Sequence, residues 1–448
     1  MSLGRKFAAD HLRNLLRDEL RLKSEQGFSI PPGLADRMAH SSFSELHDIE
    51  TELESLTEPD HLGTNEPLDW TIPSLALEKW VPNQNELDDR IRGAWYGRIA
   101  GCILGKPLEI HPFMREPKLL RQYLERTNQW PLSDFVDAND DVCVEITGQT
   151  LGSRPSVRGN IRYAQSDDDL RYTLAGLRIL DKIPNPSTRD VFQYWSSHWL
   201  PDQTFTAEQA AISNSYAFGR PHHWEQPEDA EYQQAMRQWR NPYREWIGAA
   251  IRADGWAYGY AGNPERAAQV AQQDALISHE RNGEYSEIFF AAWISASFRL
   301  PLHDSFRVAL QTVPQNSRLA TAMVETKARC DAGGTMDELL DYIEVTSGHY
   351  DGVHSINNAL ACVASVFLSN GDLELSITRA VMFGLDTDCN GATVGSIVGA
   401  RVGASGFPVE KWINPFDDTI DFEFVGEERQ SINGLASWTV ELWRRLNQ

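Results

Sequence analysis

The sequence is short of cysteine. Cys102, Cys143, Cys330, Cys362 and Cys389 are scattered and form no CxxC pair, which excludes a disulfide framework or zinc ribbon and fits a reducing compartment. It is short of positive charge as well: 41 Lys+Arg against 64 Asp+Glu give a net charge of −23. Such a balance repels phosphate backbones, so nucleic acid is not an expected partner, while a small phosphate ester bound through a metal stays open. No uncharged apolar run reaches the roughly 18 residues a membrane span needs, and no apolar stretch follows a basic N-terminal region. Neither a membrane nor a signal peptide is expected, and the expected location is the cytoplasm. Alternating polar and apolar runs are also few, which argues against an extensive sheet.

What is present is ordinary globular material: 448 residues, 41% hydrophobic and 23% charged, enough for one large domain or two medium ones. Residues 1–84 differ from the rest. They read as two helical stretches, near Arg5 to Lys23 and near Ser42 to Leu56, joined by Pro31-Pro32-Gly33 and followed by a polar linker from Glu58 to Pro73. This segment is expected to be a helical extension. Residues 85–448 are expected to be the catalytic domain, with apolar positions at three- and four-residue spacing in helix after helix. The clearest are Asp89 to Leu104, Asp168 to Leu180, Pro264 to Ser278, Glu287 to Phe298, Met336 to Thr346, Ile356 to Leu368, Leu373 to Phe383 and Ala392 to Val402. The fold class is therefore all-α. Trp195 to Tyr243 is rich in Trp, Gln, Pro and His and reads as short helices mixed with loops that border a pocket.

Two glycine ladders stand out. Gly93, Gly97, Gly101 and Gly105 recur every fourth residue, as do Gly391, Gly395, Gly399 and Gly403. Glycine inside a helix costs about 1 kcal/mol relative to alanine, so four on one stripe imply backbones packed closely enough to offset it. In a membrane this spacing would suit a dimerising span, but Arg92, Arg98, Lys106 and Arg401 within the two segments point to a soluble core.

Each ladder abuts carboxylates: Glu109 follows the first, and Asp386 and Asp388 precede the second. A further group, Ser166-Asp167-Asp168-Asp169, opens the helix carrying Leu170, Leu174 and Leu177. Ser166 with Asp169 fits a capping box, and first-turn acids suit the helix dipole. Three consecutive carboxylates repel one another, however, and a bound cation relieves that best. Asp386-Thr387-Asp388-Cys389-Asn390-Gly391 reads either as a solvated turn or as two ligands facing one site. It is not an EF-hand, because the twelfth loop position is Ile397 rather than Glu. Together these segments offer four or five carboxylates and a hydroxyl, the oxygen set that Mg²⁺ or Mn²⁺ prefers.

Three blocks, RIRGAWYGRIAGCILGKPLE (Arg90 to Glu109), SDDDLRYTLAGL (Ser166 to Leu177) and GLDTDCNGATVGSIVGA (Gly384 to Ala400), resemble the ADP-ribosylglycohydrolase family in content and order. A fourth, Asn263 to Ala292, is similar to a segment of a bacterial branch. The resemblance covers about residues 85 to 415. It implies an orthogonal multi-helix bundle with a binuclear centre of two Mg²⁺ or Mn²⁺ ions in a central cleft, and hydrolysis of the N- or O-glycosidic bond of an ADP-ribosylated protein or small molecule. It places the family's glutamate on Glu109, its Thr-Asp-Asp ligand set on Ser166, Asp167 and Asp168, and its Asp-x-Asp-Thr set on Asp386, Asp388 and Cys389. Glu109 and Asp168 are the expected catalytic carboxylates, Glu109 as general base or metal-linked group. The resemblance also implies that His279, Asn282 and Gly283 border the substrate, and His354 and Asn357 are added as pocket residues. Three positions depart from the pattern. Ser166 stands for a threonine and keeps its hydroxyl. Cys389 replaces a threonine oxygen by a soft sulfur, and Cys102 stands where many relatives carry an aspartate. Another ribosylated or glycosylated small molecule is the alternative substrate class, and a crystallin-like, non-catalytic member the alternative role.

Overall fold

A computed structural model describes residues 3–200, 203–219, 229–424 and 427–447. Among them are 23 α-helices and one two-stranded sheet, so the fold is all-α. No helix among the described residues is long and apolar enough to cross a membrane.

The two ladders lie on the helices Gln84–Gly105 and Thr387–Val402, which run antiparallel at the centre of the domain. A Cβ on Gly93 would sit 2.5 Å from the Gly399 carbonyl oxygen, and Cβ atoms on Gly97 and Gly101 would overlap the carbonyls of Gly395 and Gly391. Gly105 faces Thr387 and Asp388 in the same way. The ladders are therefore one seam, and its last rung delivers the end of the first helix to the acidic start of the second.

Three helices begin more than a turn before their apolar periodicity. Gln84–Gly105 is capped by Asn83, whose side chain accepts the Glu86 N–H at 3.0 Å. Asn282–Ser297 and Thr387–Val402 open on polar residues that are nonetheless buried. A buried polar first turn carries no apolar stripe, so periodicity alone starts these helices late. The helix expected to run from Pro264 to Ser278 closes at Ala275. The Trp195 to Tyr243 region holds the helices Thr206–Ala217 and Asp229–Gln238, while residues 201–202 and 220–228 of that expectation lie outside the described residues.

Sequence reading did not single out the helices Leu34–His40, Arg318–Asp331 and Ile432–Leu446, and it missed the antiparallel hairpin Thr419–Phe424 with Glu427–Ser431. Its first strand alternates as strands do, with Ile420, Phe422 and Phe424 buried. It also anchors the approach to the acidic helix: the Ala164 N–H donates to the Thr419 carbonyl at 2.9 Å, and the Asp421 N–H donates to the Ala164 carbonyl at 3.0 Å.

The N-terminal segment packs a small hydrophobic cluster of its own, including Leu12, Leu16, Met38, Leu46 and Leu53. Its expected linker is partly helical, over Asp60–Asn65, and is fastened to the domain. Trp70 Nε1 donates to the Thr312 carbonyl at 2.7 Å, and the Tyr285 hydroxyl to the Pro67 carbonyl at 2.5 Å. Buried Glu66 pairs with Arg318 at 2.8 Å.

Candidate metal centre

The acidic helix runs from Asp168 to Lys182, and its N-cap is Asp167, not Ser166. The capping box expected between Ser166 and Asp169 is absent for two reasons. The Asp167 carboxylate already accepts the Asp169 N–H at 3.0 Å. The Asp169 side chain is drawn away into the core, where Arg98 donates to its Oδ1 at 3.1 Å. Arg98 is fully buried; it also pairs with Asp254 at 2.7 Å and donates to the Thr173 hydroxyl at 2.7 Å. Lys106, one residue past the first ladder, contacts Asp167 Oδ2 and donates to the Ser166 carbonyl at 2.7 Å.

The second acidic segment is held by backbone geometry and amides. Gly384 and Leu385 both have positive φ, 70° and 60°, and for a non-glycine residue that conformation is uphill by about 1 kcal/mol or more. The Asn358 side-chain oxygen opposes that cost by accepting the Asp386 N–H at 3.1 Å and the Asn390 amide at 2.8 Å. Thr387 ties the two ladder helices together, donating from its hydroxyl to the Gly105 carbonyl at 3.0 Å. Asp386 occupies the N-cap position yet makes no side-chain cap bond, and its Oδ1 has no partner. The acidic helix and the second ladder helix thus both open at the cluster, where their positive dipole ends favour negative charge.

These segments converge. Ligand atoms of Glu109, Asp386 and Asp388 lie within 4.8 Å of one another, as do those of Asp169, Asp388 and Cys389, of Cys102, Asp167 and Asp388, and of Asp167, Asp168 and Asp169. Asp388 belongs to three of these four sets and is the hub. Asp167, Asp169, Asp386 and Asp388 are buried, whereas Glu109 is exposed. Buried oxygens of Asp169 (Oδ2), Asp386 (Oδ1), Asp388 (Oδ1) and Ser166 (Oγ) have no hydrogen-bond partner. Leaving such acceptors dry is costly, and a hard cation is the partner their chemistry suits.

The protonation pattern agrees. Burial, reinforced by neighbouring Asp167, raises the Asp168 carboxyl to about 8. Burial and then Glu109, Asp167 and Asp386 push Asp388 well above the carboxylate range. Glu109 is raised by desolvation first and by Asp386 next. Asp167 is the exception: burial would raise it, but the Lys106 ammonium outweighs that and holds it at about 2. The Cys389 and Cys102 thiols are driven up by burial and by the aspartates, so both remain protonated and are weak ligands for a hard ion.

The remaining expected site residues are packed into a polar interior. His279 is buried and shares a 2.8 Å hydrogen bond with the Ser278 hydroxyl through Nδ1. Asn282 donates to Glu66 of the N-terminal segment at 2.8 Å, and buried Gly283 faces the Arg244 carbonyl. His354 caps the helix Ser355–Leu368, accepting the Ile356 N–H at 3.2 Å, and lies 3.5 Å from Glu245. Asn357 donates to the Asp351 carbonyl at 2.8 Å. It lines a cavity of about 620 Å³ together with Phe383, Leu385 and Arg21, next in sequence to Asn358 and Asp386. Sequence reading assigned no site role to Asp169, Arg98, Lys106 or Asn358. Only the third consecutive aspartate carried a local signal.

An all-helical domain that gathers carboxylates from three distant segments onto one buried residue defines the class. The chain belongs to the ADP-ribosylglycohydrolase family, whose sequence profile matches residues 83–448; it is therefore a member of a glycohydrolase family. A solved structure described as an ADP-ribosylglycohydrolase-related protein complex is 15% identical, covers 81% of this chain and 100% of its own, and has a TM-score of 0.49. No curated protein matches the chain.

Proposed function

We propose that this chain is a divalent-metal-dependent hydrolase that cleaves the N- or O-glycosidic bond between ADP-ribose and an acceptor on a protein or small molecule, releasing ADP-ribose. The observation that carries this reading is the set of unpartnered, buried oxygens on Asp169, Asp386 and Asp388, in ligand sets that share Asp388 and also take in Glu109 and Asp167. An all-oxygen set of this kind fits Mg²⁺ or Mn²⁺. Asp386, Asp388, Asp167 and Asp168, with the Ser166 hydroxyl, are the ligands proposed. Bound there, the ion supplies Lewis-acid polarisation and a fixed point for vicinal ribose hydroxyls.

The side chains do the rest. Glu109, the most exposed carboxylate of the set, accepts the proton of the attacking water. Charge that develops at the anomeric carbon is offset by the surrounding carboxylates. Residues 85–448 form the catalytic unit, and residues 1–84 dock on it as an extension.

The test is incubation with Mg²⁺ or Mn²⁺ and a panel of ADP-ribosylated arginine, ADP-ribosylated serine and O-acetyl-ADP-ribose, with free ADP-ribose followed by chromatography. Release from at least one substrate, abolished by a chelator, is expected. Release from none overturns the reading and points to another ribosylated small molecule.

A further inference from the structure

Lys106 is a feature of the centre that a plain two-ion site does not explain. It follows Gly105 directly, on the 3-10 turn Lys106–Leu108 between the first ladder and Glu109. The close approach of the two ladder helices leaves its side chain 18% exposed, beside an Asp167 side chain that is 3% exposed. Its ammonium contacts Asp167 Oδ2 and donates to the Ser166 carbonyl at 2.7 Å. Asp167 Oδ1 is engaged too, by the Asp169 N–H at 3.0 Å. Both oxygens of Asp167 are thus in use, whereas Asp386 and Asp388 each keep one buried oxygen unpartnered. Those two residues form a compact set with Glu109. Asp169 is half used, one oxygen on Arg98 and the other free.

We propose that the centre holds a single divalent ion, on Asp386 and Asp388 beside Glu109, and that the Lys106 ammonium takes the place of a second ion at Asp167. A cation tethered to the chain needs no capture from solution and compensates the same carboxylate. A second divalent ion on Asp167 would face the ammonium across one shared ligand, and like charges on a common ligand in a low-dielectric site repel strongly. Lys106 is then a positioning residue that fixes Asp167 and sets the ion count. The inference rests on the metal-dependent reading above and narrows it, taking Asp167 out of the ligand set.

The test is equilibrium dialysis of the full chain against Mn²⁺, with bound metal measured by elemental analysis and the spin state by electron paramagnetic resonance. Wild type is expected to hold one ion per chain with an uncoupled Mn²⁺ spectrum. Lys106→Met is expected to tighten binding of a second ion by about tenfold or more and to give an exchange-coupled spectrum, while Lys106→Arg, which keeps the charge, stays at one. Thermal melts of both variants verify folding, and the wild-type count stands without them. Two ions of equal affinity in wild type, or a Lys106→Met protein that stays at one, overturns the inference and leaves the metal-dependent reading intact. No Mn²⁺ bound at all overturns both.

Discussion

The carboxylates of Glu109 and Asp388 lie within 4.8 Å of each other, one at the end of the first glycine ladder and the other at the start of the second. Their proximity follows from the seam. Glycine at every fourth position lets the two backbones approach, and Gly105 packs against Thr387 and Asp388 themselves. The helix packing and the acidic centre are one construction.

Gly97→Ala tests the seam. The new methyl would overlap the Gly395 carbonyl, so a loss of about 3 kcal/mol is expected by denaturant titration. Gly63→Ala is the control: it meets only a Glu58 oxygen at 3.7 Å and should be neutral or stabilising by up to about 1 kcal/mol. Equal effects at the two positions would argue against close packing.

Arg98→Met should cost about 3–5 kcal/mol, because it leaves Asp169 and Asp254 buried without their cation. Adding Asp254→Asn should recover part of the loss. A single variant as stable as wild type in urea would show that the pair is not what holds the acidic helix to the first ladder helix.

The extent to which this was legible in sequence differs by residue. Asp386 and Asp388 stood out as alternate acids before a ladder, and the helices with clean apolar stripes were readable from periodicity alone. Arg98 was not. A charge on a helix reads as a solvated face, and its partners Asp169 and Asp254 lie far along the chain. Lys106 was hidden for the same reason. The capping box failed because a competing tertiary partner, Arg98, outbids a local hydrogen bond for Asp169. His279 and His354 read as loop residues bordering a pocket, whereas docking of the N-terminal segment and the ring of Tyr350, stacked 4.2 Å from His354, place that region in the interior.

Without metal, stability should fall as pH rises from about 5 to about 8. The folded state keeps protons on Asp168, whose carboxyl is raised to about 8, and on Asp388 and Glu109. The unfolded chain releases them near the ordinary carboxylate value of about 4. Between those limits the folded state binds more protons, so each rise in pH favours unfolding. Asp167, held at about 2, acts oppositely: its contribution is complete above about pH 4 and is lost in stronger acid. Mn²⁺ should flatten or reverse the neutral-range decline, because binding needs the deprotonated ligands. A melting temperature of chelator-treated protein that is flat across that range contradicts this account.

Arg318→Met should loosen the N-terminal segment. Arg318 bridges Glu66 and Glu245, each at 2.8 Å and both buried, so its loss strands two carboxylates and costs about 3 kcal/mol. Faster tryptic cleavage before residue 83 is the expected signature. An unchanged digestion pattern would mean that the apolar contacts alone hold the segment.

The most direct measurement is a calorimetric titration of Mn²⁺ into wild type and Asp388→Asn. Asp388 is the residue shared by three of the four ligand sets. A saturable heat is expected in wild type, with proton release that shrinks as pH rises toward about 8 and the ligands lose their protons beforehand, and loss of that heat is expected in the variant while its fold is retained. Removal of one buried carboxylate should leave the metal-free variant at least as stable as the parent. Matching isotherms for the two proteins would contradict the assignment of the acidic cluster as the metal centre.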